Sequence, residues 1–221
     1  MLLRDSIYQA IRQAILTCEF EPGQELREQI LAERFRVSRS PVRDALLRLE
    51  LESLVTVLPR QGYLVNAISI PDVEAMFELR LLVTSACAAR AARADDAAVQ
   101  TLERFRSDPD RDDAEEVFLE YNRAFHSSIA NICGNPRMAS LECDLAQQSS
   151  RLIRASLRHP QNSSMVSAIR EHNEIIDALQ AHDPDTASRL ASQHVESGQR
   201  RVIAALRKNA NAVDIPPSTS G

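Results

Sequence analysis

Val37 to Glu50, VSRSPVRDALLRLE, constrains this chain more than any other stretch. Val42, Ala45, Leu46 and Leu49 fall at i, i+3, i+4 and i+7, so a helix through them carries one apolar stripe to bury. Arg39 and Arg43 stand one turn apart on another face. Ser38 or Ser40 is placed to cap the first free amides, and Pro41 is tolerated only in a first turn, which marks the helix start to within about two residues. The stripe requires a core, and the arginine face is suited to a phosphate or a base edge.

The flanking residues supply that core. Ile7, Ile11, Ala14 and Ile15 lie at helical spacing within 4–18, and Pro22-Gly23 stops that helix. Glu28 to Phe35 forms a second, short helix with Ile30, Leu31 and Phe35 as its expected inner face, separated from the arginine-bearing helix by only Arg36-Val37. Two short helices around so tight a turn form a helix-turn-helix, which makes 37–50 the expected DNA recognition helix. Val55 to Leu58 and Tyr63 to Val65, rich in β-formers around Pro59-Arg60-Gln61-Gly62, form a hairpin whose tip residue Arg60 is placed to reach a neighbouring groove or phosphate. The competing reading is a helical protein-interaction module with an incidental hairpin.

Charge supports the first reading locally. The chain as a whole carries −5, but residues 34–60 hold six arginines against three acids, as suits one surface docking on nucleic acid. At 221 residues, without tryptophan and with only five glycines, the chain fits two mainly helical domains with short connections. Cys18, Cys87, Cys133 and Cys143 form no CxxC pair and read as reduced thiols. No leader-like apolar segment and no run near 18 apolar residues occurs, so the expectation is a cytoplasmic protein that does not engage membranes.

After a linker at Ile68–Asp72, helices are expected at 71–93, 95–107, 112–133, 135–158, 164–181 and 184–208, punctuated by Asp108-Pro109, Gly134-Asn135-Pro136, His159-Pro160 and Asp183-Pro184. The expected fold is mainly α: a winged helix-turn-helix at 1–67, then an all-α antiparallel bundle of about six helices at 68–209, with a disordered tail at 210–221. His126, His172 and His194 fall on three of those helices, and Asn122 shares a face with His126 one turn on. Three imidazoles meeting in a bundle core suit Zn²⁺ or another divalent transition metal. Ordinary hydrogen-bonded core histidines are the alternative, and on spacing alone the weightier one.

Leu31-Ala32-Glu33, Val37 through Leu46, Leu49-Glu50, Leu54-Val55 and Gln61-Gly62-Tyr63 resemble the winged helix of GntR-superfamily bacterial transcriptional regulators. The resemblance implies that Ser38, Arg39 and Arg43 contact an operator and that Gly62 is a wing-tip glycine entering the minor groove. With Arg34, Ser40 and Arg60 these complete the expected DNA-binding set. Cys18 and Ser53 stand where the family usually has glycine.

Phe118-Leu119-Glu120, Asn122, Phe125-His126, Gly134-Asn135, Glu171-His172 and His194 resemble the FCD ligand-binding domain of the FadR branch. There an Asp and three His commonly hold a metal, and a small carboxylate effector fills its remaining positions. The matching residues are Asn122, His126, His172 and His194; the neutral amide of Asn122 is a weaker ligand than carboxylate and should lower affinity or change the metal. Arg80, Arg151 and Arg154 are the expected effector clamp, with surface ion pairing as the alternative for the last two; Thr84 stands where the family commonly has glutamate. The implied protein is a homodimeric, effector-responsive regulator, more commonly a repressor, on an inverted-repeat operator in double-stranded DNA. The rivals are a metal-dependent helical hydrolase, for which the sequence offers no obvious general base and no HExxH, and a helical adaptor that never meets DNA.

Overall fold

The computed structural model describes residues 3–106, 114–157 and 164–211. They belong to two compact units, Met1–Ser69 and Ile70–Gly221.

In the first unit the order is α1 (Leu3–Leu16), β1 (Glu25–Leu26), α2 (Glu28–Phe35), α3 (Arg39–Leu51), β2 (Val55–Leu58) and β3 (Gly62–Val65). The stripe Val42, Ala45, Leu46 and Leu49 of α3 is buried against Ile7, Ile11 and Ile15 of α1 and Val65 of β3. Each valine, leucine or isoleucine among them contributes about 1.5–3 kcal/mol when fully removed from water. Polar residues fasten the same seam. Arg12 Nε donates to Glu52 Oε2 at 2.7 Å, the Tyr8 hydroxyl donates to the other oxygen of Glu52, and the Arg48 guanidinium lies 3.7 Å over the Tyr8 ring. Burial and the Glu52 carboxylate together push the Tyr8 phenol up to about 12.

Two expectations fail here. Ile30 is 59% exposed; the inner face of α2 is Leu31 and Ala32, with Phe35 partly buried. Ile30 and Phe35 are five residues apart, about 140° around a helix, so they cannot share a face. Ser38 occupies the N-cap of α3, but its side chain makes no capping hydrogen bond. The hairpin also gains a third strand: the sheet order is β1-β3-β2, all antiparallel, with Glu25 opposite Leu64 and Leu26 opposite Tyr63. Two residues of β1 are too few to show alternation in sequence.

α2 and α3 end alike. Arg36 and Ser53 take the left-handed conformation (φ 54° and 56°), and the next amides return to the helices, Val37 N–H to Ala32 O at 3.0 Å and Leu54 N–H to Leu49 O at 3.0 Å. This closure favours glycine. Cys18, after α1, is also left-handed at φ 58°. Cys18 and Ser53 therefore keep a backbone that suits glycine.

The second unit contains α4 (Ile70–Ala91), α5 (Asp96–Gln100) followed by a 3-10 turn (Thr101–Phe105), α6 (Ala114–Ile132), α7 (Pro136–Leu157), α8 (Ser164–Gln180) and α9 (Pro184–Asn211). The single helix expected at 95–107 is thus a short α-helix tightening into 3-10. Asx side chains start α5, α7 and α9: Asp95 accepts from Ala98 N–H at 2.8 Å, Asn135 from Met138 N–H at 3.2 Å and Asp183 from Thr186 N–H at 3.0 Å. Cys87, Ala88, Leu102, Phe125, Ile175, Ile176 and Leu179 form the main core, and α9 packs chiefly along α4. Cys87 and Cys133 are buried, Cys18 and Cys143 half-buried, and all four are free thiols. Of the tail expected at 210–221, residues 210 and 211 are helical and 212–221 lie outside the described residues. Among the described residues no helix is long and apolar enough to cross a membrane.

Candidate metal and effector site, and the nucleic-acid face

His126 on α6, His172 on α8 and His194 on α9 meet inside the second unit, all three buried. The Nε2 atoms of His172 and His194 are 3.2 Å apart, those of His194 and His126 3.3 Å, and the three rings offer nitrogens that all lie within 4.8 Å of one another. The opposite ring nitrogens of His194 and His172 point outward to hydrogen-bond partners, whereas that of His126 faces a carboxylate without bonding it. His194 Nδ1 is 2.7 Å from Glu171 Oε2, His172 Nδ1 is 3.2 Å from the Tyr121 hydroxyl, and His126 Nδ1 stands 3.5 Å from Glu142 Oε1. Phe125 stacks on the His172 ring with centroids 3.9 Å apart.

Burial holds His126 and His172 well below the ordinary imidazole value, with the neighbouring cations and imidazoles adding to it. His194 is lowered by burial too, against the opposing pull of Glu171. The rings are therefore neutral near pH 7, the state a metal ligand needs. Where Nδ1–H donates to Glu171 or to Tyr121, the lone pair lies on Nε2, so unshared pairs face one another at little over 3 Å. A cation removes that repulsion. A tetrahedral ion bonded at about 2.0–2.1 Å to each nitrogen would need nitrogens roughly 3.3–3.4 Å apart, which the His172–His194 and His194–His126 separations match.

Beside His194 lies a cavity of about 30 Å³ lined also by Arg80, Asn122, Arg201, Phe118 and Gly198, among others. That is room for about two waters. Asn122 is buried and its Nδ2 has no hydrogen-bond partner; an amide flip would present Oδ1 there instead. Arg80 is 2% exposed, and its Nε and Nη2 have no partner. Burial lowers its pKa and the charge of Glu142 opposes the shift. Glu142, on α7, is buried, accepts from Thr84 Oγ1 at 2.8 Å through one oxygen, and leaves the other unbonded; burial raises its carboxyl.

Of the expected effector residues, Arg80 lines this cavity and Arg151 and Arg154 are not among its lining. Arg154 is engaged by Glu115 at 3.2 Å and by Glu116. Sequence reasoning missed Glu142, Tyr121 and Arg201. Arg201 holds Glu171 with Nη1 3.1 Å from Oε1. Burial pushes the Glu171 carboxyl up, and the hydrogen bonds from His194 and Arg201 more than offset it. Only the adjacency of Glu171 to His172 was visible in the chain.

On the first unit Ser38, Arg39, Ser40 and Arg43 are all exposed at the start of α3. Arg39 Nη2 donates to Gln29 Oε1 at 2.9 Å, and Arg43 donates from Nε and Nη2 to the two oxygens of Glu28 at 2.8 and 2.7 Å. Arg34 pairs with Glu19 and lies 4.9 Å over the Phe20 ring, turned to its own unit. At the wing, Gln61 N–H bonds Leu58 O at 3.0 Å, with Pro59 and then Arg60 (φ 67°) between them, the φ pattern of a type II turn. Arg60 is thus the tip. Gly62 opens β3, and packing demands it: at φ 120°, a Cβ there would lie 2.5 Å from Leu26 O.

Known proteins share both halves. The family described as "Bacterial regulatory proteins, gntR family" matches residues 3–65, and "FCD domain" matches 75–197. The HTH-type transcriptional repressor RspR of Escherichia coli (strain K12) is 28% identical over 222 residues, covering 95% of this chain and 92% of that protein. The HTH-type transcriptional repressor NanR of Enterobacter sp. (strain 638) is 30% identical, covering 88% and 83%. The solved structure of E. coli McbR/YncC has the same fold, with a TM-score of 0.75 at 20% identity over 95% of this chain and 99% of that one. With a winged helix presenting arginines and a helical unit enclosing three histidines, this chain belongs to the GntR family of bacterial transcriptional regulators, in the FadR-like branch that carries an FCD domain.

Proposed function

We propose that the chain is a homodimeric repressor whose residues 1–67 bind an inverted-repeat operator and whose residues 68–209 bind a divalent transition metal, Zn²⁺ first, and a small organic acid. One observation carries the ligand-binding part of this reading: buried Arg80 with unpaired N–H groups, Asn122 with an unpaired amide, and His194 of the converging triad line one cavity. Leaving buried guanidinium N–H groups without an acceptor costs on the order of 1–3 kcal/mol or more, so a group that brings an acceptor to them gains correspondingly. Repression as the output follows the relatives RspR and NanR, both repressors.

His126, His172 and His194 would hold the ion, with Asn122 as a weak oxygen ligand, and the ion would supply a Lewis-acid hold on a carboxylate oxygen. Glu171 and Tyr121 fix the ring orientations of His194 and His172. Arg80 binds the carboxylate from the other side. An acid larger than about two waters exceeds the 30 Å³ present, so its entry moves the helices that line the cavity. That difference between liganded and free unit is the source of any effect on DNA binding.

Elemental analysis of the purified chain should give about one divalent metal ion per chain, and His172→Ala should lose it and the thermal stabilisation by added Zn²⁺. An absence of metal in both, with no stabilisation of either by Zn²⁺, sinks the metal assignment.

A further inference from the structure

Arg43 is exposed on the recognition helix, yet its guanidinium is not free to turn. Nε and Nη2 both donate to Glu28, the first residue of α2 and 15 positions earlier in the chain. Glu28 is the less exposed partner, its side chain at 21% against 58% for Arg43. Its carboxylate sits at a helix N-terminus, where the helix dipole favours it. The hydrogen bond from Arg43 holds the Glu28 carboxyl below the usual carboxylate range, against a smaller opposing effect of burial, so it stays ionised.

A guanidinium has five N–H donors on two usable edges. Glu28 occupies the side edge, Nε with Nη2, and leaves the end edge, Nη1 with the second Nη2 hydrogen, facing away. That edge presents two parallel donors. In the major groove the matching pair of acceptors on one base is guanine N7 and O6. A backbone phosphate also offers two acceptors, but beside it the Glu28 carboxylate is a like charge, whereas a base edge is neutral. The neighbouring pair lacks that charge: Arg39 is held by Gln29, a neutral amide, at 2.9 Å.

Resting on the DNA-binding reading, we infer that Glu28 is a positioning and specificity-determining residue. It orients Arg43 end-on toward a guanine in each half-site and disfavours docking of that arginine on phosphate.

The test is selection by the full chain from a random duplex library long enough for two half-sites a helical turn apart. Wild type, Arg43→Ala, Glu28→Ala and Glu28→Gln are compared, and binding to a mixed-sequence duplex is measured alongside. Arg43→Ala should flatten one base pair per half-site that is G·C in the wild-type motif. Glu28→Ala should flatten the same pair, leave the others, and cut the ratio of selected to mixed-sequence affinity by about tenfold, part of it through tighter binding to mixed sequence. Glu28→Gln, which keeps an acceptor without the charge, should retain the G·C pair while still binding mixed sequence more tightly. The inference is overturned if Glu28→Ala leaves the Arg43-dependent pair intact, if it weakens every position alike, or if that pair is not G·C. A wild-type chain that selects no motif overturns the DNA-binding reading itself, and with it this inference.

Discussion

At Ser53 and Cys18 the side chain and the backbone disagree. Both residues adopt left-handed φ near 57°, where a Cβ crowds the following carbonyl at a cost of roughly 1–2 kcal/mol. The resemblance showed that glycine is usual there, but whether the turns would reshape around a side chain was not visible in sequence. The backbone kept its course because Leu54 N–H must still reach Leu49 O, and Leu54 and Val55 must enter the core beneath it. Ser53→Gly should therefore raise stability by about 0.5–1 kcal/mol, less than the full strain because glycine also frees the unfolded chain. A denaturant midpoint that rises at constant slope checks this; an unchanged or lower midpoint would mean that the Ser53 turn carries no strain to release. Gly62 shows the opposite case, since there a contact with Leu26 O, formed only once β1 pairs with β3, demands the glycine.

Among the elements, those with a strong period were legible and those formed by tertiary contact were not. α3 announced itself through its apolar stripe, and the triad helices through theirs, whereas two-residue β1 exists only because β3 offers it an edge. The break of 95–107 into α-helix and 3-10 turn, and the partners Tyr121 and Glu142, depend on how helices far apart in sequence lie together. His182 is another such contact. At the corner between α8 and α9, Nδ1 lies 2.9 Å from Ala92 O and Nε2 2.6 Å from Asp96 Oδ1, so both ring nitrogens face acceptors and both can donate only in the imidazolium. The Asp96 carboxylate first, and then the Ala92 carbonyl, raise its pKa. A raised folded value means that the stabilisation is fully present below the unfolded pKa of about 6.5 and is lost as pH rises through the folded one. The buried triad, with lowered values, acts oppositely on acidification, so the comparison must be a difference. The gap in melting temperature between wild type and His182→Asn should be widest near pH 5.5–6 and shrink by pH 8–9. A gap independent of pH would assign His182 a purely neutral packing role.

At the scale of the whole molecule, the chain separates an arginine-bearing surface in one unit from a buried cationic site in the other, and Arg80 is where the second can be tested without touching the first. Its position was suspected from a resemblance; that its Nε and Nη2 would be buried without partners was not, because satisfaction of a polar group is a property of the packed core. Two roles make opposite forecasts. If Arg80 exists to neutralise Glu142, removing it strands a buried carboxylate, and the apo protein should lose about 3–5 kcal/mol. If instead it waits for an effector carboxylate, Arg80→Met replaces an unsatisfied cation by an apolar side chain of similar length, Glu142 takes up a proton as its raised pKa already favours, and apo stability should hold or rise. We expect the second result. With a panel of organic acids, the wild-type chain should be stabilised by its effector by about 2.7 kcal/mol at a hundred times the dissociation constant, and Arg80→Met by none of the panel. Operator affinity without acid should be the same for both, since Arg80 lies in the unit that carries no winged helix. A large loss of apo stability together with an unaltered acid response would make Arg80 a structural counter-ion and move the effector site elsewhere.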